Sequence, residues 1–284
     1  MRVRAVLFAM ALAVIVPRAQ ASGHGPVFGF ATPLNSQGET SFDLGVFGRA
    51  AAFGSQTALK AMLSYGLTPH VQLSAVLPAF LQEGQLPMSM MAGGEFQGNL
   101  AWRFQHNPNA IGRRVESTAS VGIVAPGPQD TFGMFRGMHS APGVNAWIAS
   151  GMASRSQYVW VGAGGTHFTQ RDGDQRPNLF SASLVYGYRP PSWRADKHQW
   201  DWRVFAEMVG EHDGAVRRSG IVVPGSDANQ IFLGPTVLGI FKTFAISGGV
   251  QFPVYSRLGG MYPHERMRIA VNVSYFLFSH KSSH

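Results

Sequence analysis

The chain contains no cysteine. An exported chain without cysteine has no disulfide framework, so a large core or a membrane must hold its fold together. Charged residues are also scarce, at 13% of 284 residues against about 25% in ordinary soluble domains. That is thin polar cover for a surface meant to face water. Long apolar runs are missing too: beyond residue 21, no window offers the roughly 20 apolar, uncharged residues that a membrane-spanning helix needs. This excludes a helical membrane protein. The excess of positive charge is mild. The formal +8 includes Arg2, Arg4 and Arg18 and falls to +5 when residues 1–21 are set aside. No basic run carries the interleaved aromatics that nucleic-acid binding calls for, so no nucleic-acid partner is expected.

Residues 1–21 have the layout of a secretory signal peptide: MRVR is a basic start, VLFAMALAVIV an apolar core and Ala19-Gln20-Ala21 a small-residue cleavage site. The mature chain would then begin at Ser22.

What the rest has is glycine (34 residues), aromatics (12%) and a period of two. Twelve segments alternate and are separated by turn residues: 40–49, 57–66, 70–79, 94–105, 115–124, 144–153, 157–168, 178–188, 199–210, 229–239, 244–254 and 266–278. Most are about ten residues long, the length of a tilted strand crossing a bilayer. In GEFQGNLAWRFQ (94–105), Phe96, Leu100, Trp102 and Phe104 oppose Glu95, Gln97, Asn99, Arg103 and Gln105. In QWDWRVFAEMVG (199–210), Trp200, Trp202, Val204 and Met208 oppose Asp201, Arg203 and Glu207. No helical periodicity follows the leader, so nothing in the sequence can cover twelve apolar faces except lipid.

The expectation is therefore an all-β fold: a single antiparallel transmembrane barrel of about 12 strands over residues 40–278, in the outer membrane. A periplasmic segment, 22–39, precedes it, and a tail, 279–284, follows. The connections alternate roughly between short and long, as periplasmic turns and extracellular loops do, which puts both chain ends in the periplasm. The partners implied are outer-membrane lipid, the outer-membrane assembly machinery and a small-molecule solute. No cofactor is expected.

Several stretches resemble a known family: YGLTPHVQLSAVLP, the PGPQDTFG loop, LGPTVLG, FKTFAISGGVQFPV and the closing RIAVNVSYFLF. Across residues 40–278 they look like the channel-like outer-membrane proteins grouped as the MetA-pathway phenol-degradation family. The resemblance implies a transporter-like barrel for small, hydrophobic or aromatic solutes. The last strand resembles the carboxy-terminal assembly signal of such barrels, although SHKSSH follows it.

The candidate lumen-lining residues are Asp43, Arg49, Lys60, Glu95, Arg103, Asp201, Arg203, Glu207 and Arg268. Charges of both signs facing a narrow interior either line an aqueous path or pair into a plug. Ser22-Gly23-His24 would offer a free amine, two amide nitrogens and an imidazole, the tetragonal nitrogen set that Cu(II) favours. Met88, Met90 and Met91 in MSMM, with Met134, Met138 and His139, are soft donors or simple loop filler. A copper-associated barrel is thus one alternative. A lipid hydrolase is another, and only His167-Phe168-Thr169 approaches its base-and-nucleophile spacing on a strand, with Thr in place of Ser. Tyr158, Trp160, Tyr186, Tyr188, Trp193, Trp200 and Trp202 suit an aromatic girdle at the membrane interface. GAGG (162–165) has no helix after it and is read as close packing in a strand. HGPVFGF (24–30) receives no further assignment from the sequence.

Overall fold

A computed structural model describes residues 25–52, 54–82, 86–89, 94–127, 138–139, 141–193 and 199–278. Twelve strands close into one antiparallel barrel. They are β1 (Glu39–Ala51), β2 (Gly54–Thr68), β3 (Val71–Gln82), β4 (Phe96–Ala110), β5 (Arg113–Ala125), β6 (Gly143–Ser154), β7 (Gln157–Phe168), β8 (Leu179–Tyr188), β9 (Asp201–Asp213), β12 (Ala228–Phe241), β13 (Phe244–Leu258) and β14 (Glu265–Phe278). β10 (Arg217–Arg218) and β11 (Ile221–Val222) form a small hairpin between β9 and β12. Among the described residues no helix is long and apolar enough to cross a membrane.

The alternation decides which way each side chain points. Phe42, Leu44 and Val46 of β1, Val121 and Ile123 of β5, and Ile269, Val271, Val273 and Leu277 of β14 lie exposed on the outer wall. Asp43, Arg49, Thr118, Ser120, Glu207 and Arg268, on the other parity, are buried. An apolar outside around a charged inside reverses the soluble pattern, and it suits a hydrocarbon solvent that cannot satisfy an open strand edge.

The two barrel ends differ. At one, the turns 69–70, 111–112, 155–156 and 242–243 are tight, with Gly112 and Lys242 in the left-handed region these turns require. The connection 189–200 is the exception at this end: Trp200 stacks on Trp202 (5.5 Å) and on Phe241 (5.4 Å) against the outer wall. The other end carries the longer connections, from β3 to β4, β5 to β6, β7 to β8, β9 to β12 and β13 to β14, together with the two-residue connection from β1 to β2. The first connection is shorter than the sequence spacing suggests because β1 and β2 continue pairing to Ala51↔Gly54.

Two sequence expectations change. Tyr158 and Trp160 do not join a girdle: both are buried inside the barrel with Val185, Phe205, Leu238 and Phe276. Of the segment 22–39, expected as periplasmic ahead of the barrel, residues 27–30 and 35 lie inside it, where Glu207, Ser183 and Gln72 on the wall take up their backbone N–H groups.

Candidate functional site: the occupied lumen

The lumen is built in three layers along the barrel axis. In the middle, Glu207 of β9 holds the amino-terminal strap. Its Oε1 accepts the Val27 N–H at 2.8 Å, and its Oε2 accepts the N–H groups of Phe28 and Gly29, also at 2.8 Å. Thr236 donates its hydroxyl to the same carboxylate. A buried carboxylate is costly without such donors, and hydrogen bonds to a charged group contribute about 1.5–3 kcal/mol each. Strap and carboxylate therefore stabilise one another.

Below this clamp the strap descends toward the tight-turn end. Phe30 donates its N–H to Ser183 at 2.8 Å, and its ring sits 6.0 Å from that of Trp147. Thr32 is gripped three ways: it accepts from Trp160 Nε1 at 3.1 Å, its carbonyl accepts from Thr118 at 2.8 Å, and its hydroxyl reaches Glu116 at 3.4 Å. Asn35 donates its N–H to Gln72 and its amide group to Ser41. Two glycines make room for this path. A Cβ on Gly162 would stand 2.5 Å from Phe30 Cβ, and one on Gly66 would stand 2.0 Å from the Ser36 carbonyl oxygen. The GAGG stretch thus has a purpose that sequence alone leaves open.

The tight-turn layer carries ion pairs. Arg103 meets Glu116 at 2.9 Å, and Asp201 bridges Arg189 (2.6 Å) and Arg203 (3.0 Å). The loop-end layer is a buried network. Glu265 accepts from Arg49 at 2.8 Å and from Arg268 at 2.8 Å, while Arg268 also reaches Glu211 at 2.7 Å and lies 3.5 Å from the Phe232 ring centroid. Breaking such a pair on one side leaves an uncompensated charge and costs about 3–5 kcal/mol in comparable cases. Residues 86–89 fold into this layer: Arg49 donates to the Pro87 carbonyl at 2.6 Å, and Ser89 donates to Glu211 at 2.9 Å.

All nine charges proposed for the lumen fall on the inward parity, but in separate layers. Arg49 and Arg268 belong to the loop-end network. Glu95 pairs with Arg176 at 2.6 Å. Asp43 accepts from Ser274, and the Lys60 ammonium lies 5.7 Å from the Phe47 ring centroid. Glu207 holds the strap, and Arg103, Asp201 and Arg203 form the tight-turn pairs. Glu116, Arg176, Glu211 and Glu265 partner these charges without having been singled out in the sequence.

The metal and hydrolase candidates are not drawn together in this way. Ser22, Gly23 and His24 lie outside the described residues, as do Met90, Met91 and Met134. Met88 is buried against Val124 and Phe168, and Met138 is buried as well. Among the described residues no group of three His, Cys, Asp or Glu side chains could hold a metal ion. His167 lies exposed on the outer wall, and the Thr169 hydroxyl is engaged, donating to the Pro142 carbonyl at 2.6 Å.

Above the loop-end network, Asp174 ties three connections together. Its Oδ1 accepts the Ser219 N–H at 2.8 Å, and its Oδ2 accepts the His139 N–H at 2.9 Å, with His139 Nδ1 at 3.3 Å. The Ser219 amide first, then the His139 amide, hold this carboxyl below the usual aspartate range.

With this geometry in place, comparison gives the architecture its relatives. No protein-family model matches the chain, and no curated protein sequence matches it. Solved structures do. The COG4313 outer membrane channel from Pseudomonas putida F1 superimposes with a TM-score of 0.61 at 12% identity, over 86% of this chain and 97% of that one. The NanC porin superimposes with a TM-score of 0.50 at 8% identity, over 82% and 98%. This chain has the fold of outer-membrane barrel channels. At these identities the likeness concerns the fold alone.

Proposed function

We propose that the chain is an outer-membrane channel for small solutes whose bore is narrowed by its own amino-terminal strap. The observation that carries this reading is the Glu207 carboxylate at mid-lumen, which holds three consecutive strap amides inside a closed barrel. The barrel's solved neighbours, a channel and a porin, support the same class. The strap enters from the tight-turn end, which on this reading faces the periplasm. The strap takes up space that a solute would need, while the layered ion pairs favour neither sign strongly. Outer-membrane lipid surrounds the wall, and the outer-membrane assembly machinery inserts it.

Planar-bilayer recordings test the reading. The intact chain should give small conductance steps, and a variant lacking residues 25–34 should give steps several-fold larger. Silence from both chains, or equal steps from both, would overturn it.

A further inference from the structure

Between β2 and β7 the inner wall carries a run of uncharged positions. Ser64, Ser74, Asn99, Gly122, Asn145 and Thr166 follow one another as direct strand partners. A row of partners lies across its strands, and barrel strands tilt against the axis, so such a row climbs the lumen. Ser64 stands near the tight-turn end of β2, and Thr166 stands close to the loop end of β7. The row therefore leads from one mouth toward the other. The next inward positions toward the tight-turn end, Gln72, Ala101, Ser120, Trp147 and Gly164, are uncharged as well. The nearest charges along these stretches of chain, Lys60, Glu95 and Arg103, stand four residues from the row.

The row is neither filled nor satisfied from within. Ser74, Asn99, Gly122 and Thr166 face inward yet stay only half-buried, so space remains in front of them. The strap's hydrogen bonds fall elsewhere, on Glu116, Thr118, Ser183 and Glu207, and it meets the foot of the row through Asn35, whose side-chain amide donates to the Ser64 carbonyl at 3.4 Å. Three buried oxygens of the row have no hydrogen-bond partner among the described residues: Ser64 Oγ, Asn99 Oδ1 and Asn145 Oδ1. Asn145 donates its amide nitrogen to Gln97 Oε1 at 3.2 Å, which turns its oxygen the other way. That oxygen and Asn99 Oδ1 close on one point: a Cβ on Gly122 would stand 2.5 Å from the first and 2.1 Å from the second. Two carbonyl oxygens leaning over the same spot repel one another unless a donor stands between them, and a buried acceptor without a donor is costly.

We infer that the channel's solutes are uncharged and rich in hydroxyl groups, a polyol or a small saccharide, and that they pass along this row with the paired oxygens over Gly122 as their tightest contact. This inference rests on the channel reading above and names its solute class. Hydroxyl groups donate to carboxamide oxygens and accept from serine and threonine, so the row can replace a solute's water one bond at a time. Trp147, two residues from Asn145 on the same face, offers the C–H edges of such a solute a ring to pack on. A cation also suits a pair of carbonyl oxygens, but this row gives it no counter-charge. An apolar solute would leave every one of these groups without a partner. The class differs from the hydrophobic or aromatic solutes that the family resemblance implies.

Three probes on one carbon skeleton separate the possibilities: mannitol is neutral, gluconate carries a carboxylate and glucamine an ammonium. Uptake of radiolabelled mannitol into proteoliposomes holding the intact chain should saturate. Unlabelled mannitol should compete with it, whereas gluconate or glucamine at equal concentration should not. Asn99→Leu removes one of the paired oxygens at nearly constant volume and should lower uptake about ten-fold, the worth of one well-made hydrogen bond, with ions still conducted and the strap amides still protected from exchange. An ion-conducting chain that takes up no mannitol, uptake that does not saturate, equal competition by either charged probe, or an unchanged rate in Asn99→Leu would each overturn the inference and leave the channel standing. If Asn99→Leu fails to fold, as loss of the gel shift between boiled and unboiled samples would reveal, Ser74→Ala with Thr166→Val decides. Stripping these two hydroxyls should also slow mannitol, and an unchanged rate would refute the row. A chain that passes neither ions nor mannitol would sink the channel reading itself.

Discussion

At the scale of single residues, most of the inward-facing charges described above have a specific partner, and two carboxylates organise the elements around them. Glu207 fixes the strap from within, and Asp174 fixes the loops from outside the membrane-spanning wall. Because the folded state holds Asp174 below its ordinary range, its contribution is fully present above an unfolded value near 4 and is lost as pH falls through the lower, folded value. The amides of Ser219 and His139 should therefore stay protected from exchange between about pH 7 and 5, and lose protection only below about pH 4. Hydrogen exchange across that range measures it, and loss of protection already above pH 5 would contradict the assignment. Asp174→Asn should remove the protection at neutral pH.

Elements were largely legible in the sequence, because a barrel strand carries its own label in the period of two. All twelve segments correspond to barrel strands, and most of the strands run further at one end or both because strand pairing continues past the last alternating residue. That extension explains two missed charges: Glu211 and Glu265 stand one residue beyond the segments read as 199–210 and 266–278. Glu116 was legible in principle, since it shares a face with Thr118 and Ser120. Tyr158 and Trp160 were not. Their outward neighbours Val159 and Val161 are apolar too, so QYVWVGAGGTHF shows no polar face to tell lumen from lipid. The glycines further along that strand carry the signal in another form, as room for the strap. Gly162→Val should collide with Phe30 and push the strap aside while leaving the β7 ladder intact. Larger conductance steps at unchanged heat stability are expected, and unchanged steps would show that Phe30 does not depend on that space.

At the scale of the whole molecule, the sequence defines a container but says little about its contents. HGPVFGF has no period and no charge apart from its histidine, and nothing in it announces that a carboxylate 178–180 residues away will collect its amides. The partner is fixed only once the barrel closes and β9 turns Glu207 inward. The container itself follows from simple rules: no cysteine, little charge, no spanning helix among the described residues and twelve alternating segments leave a lipid-faced barrel as the economical solution. The occupied lumen is the feature on which the functional reading turns. Amide exchange of the strap in the detergent-solubilised protein tests it most directly. Val27, Phe28, Gly29 and Phe30 should be protected to a degree comparable with the barrel strands, and Glu207→Gln should remove that protection. Exchange of these four amides at free-peptide rates in the unaltered protein would contradict the account.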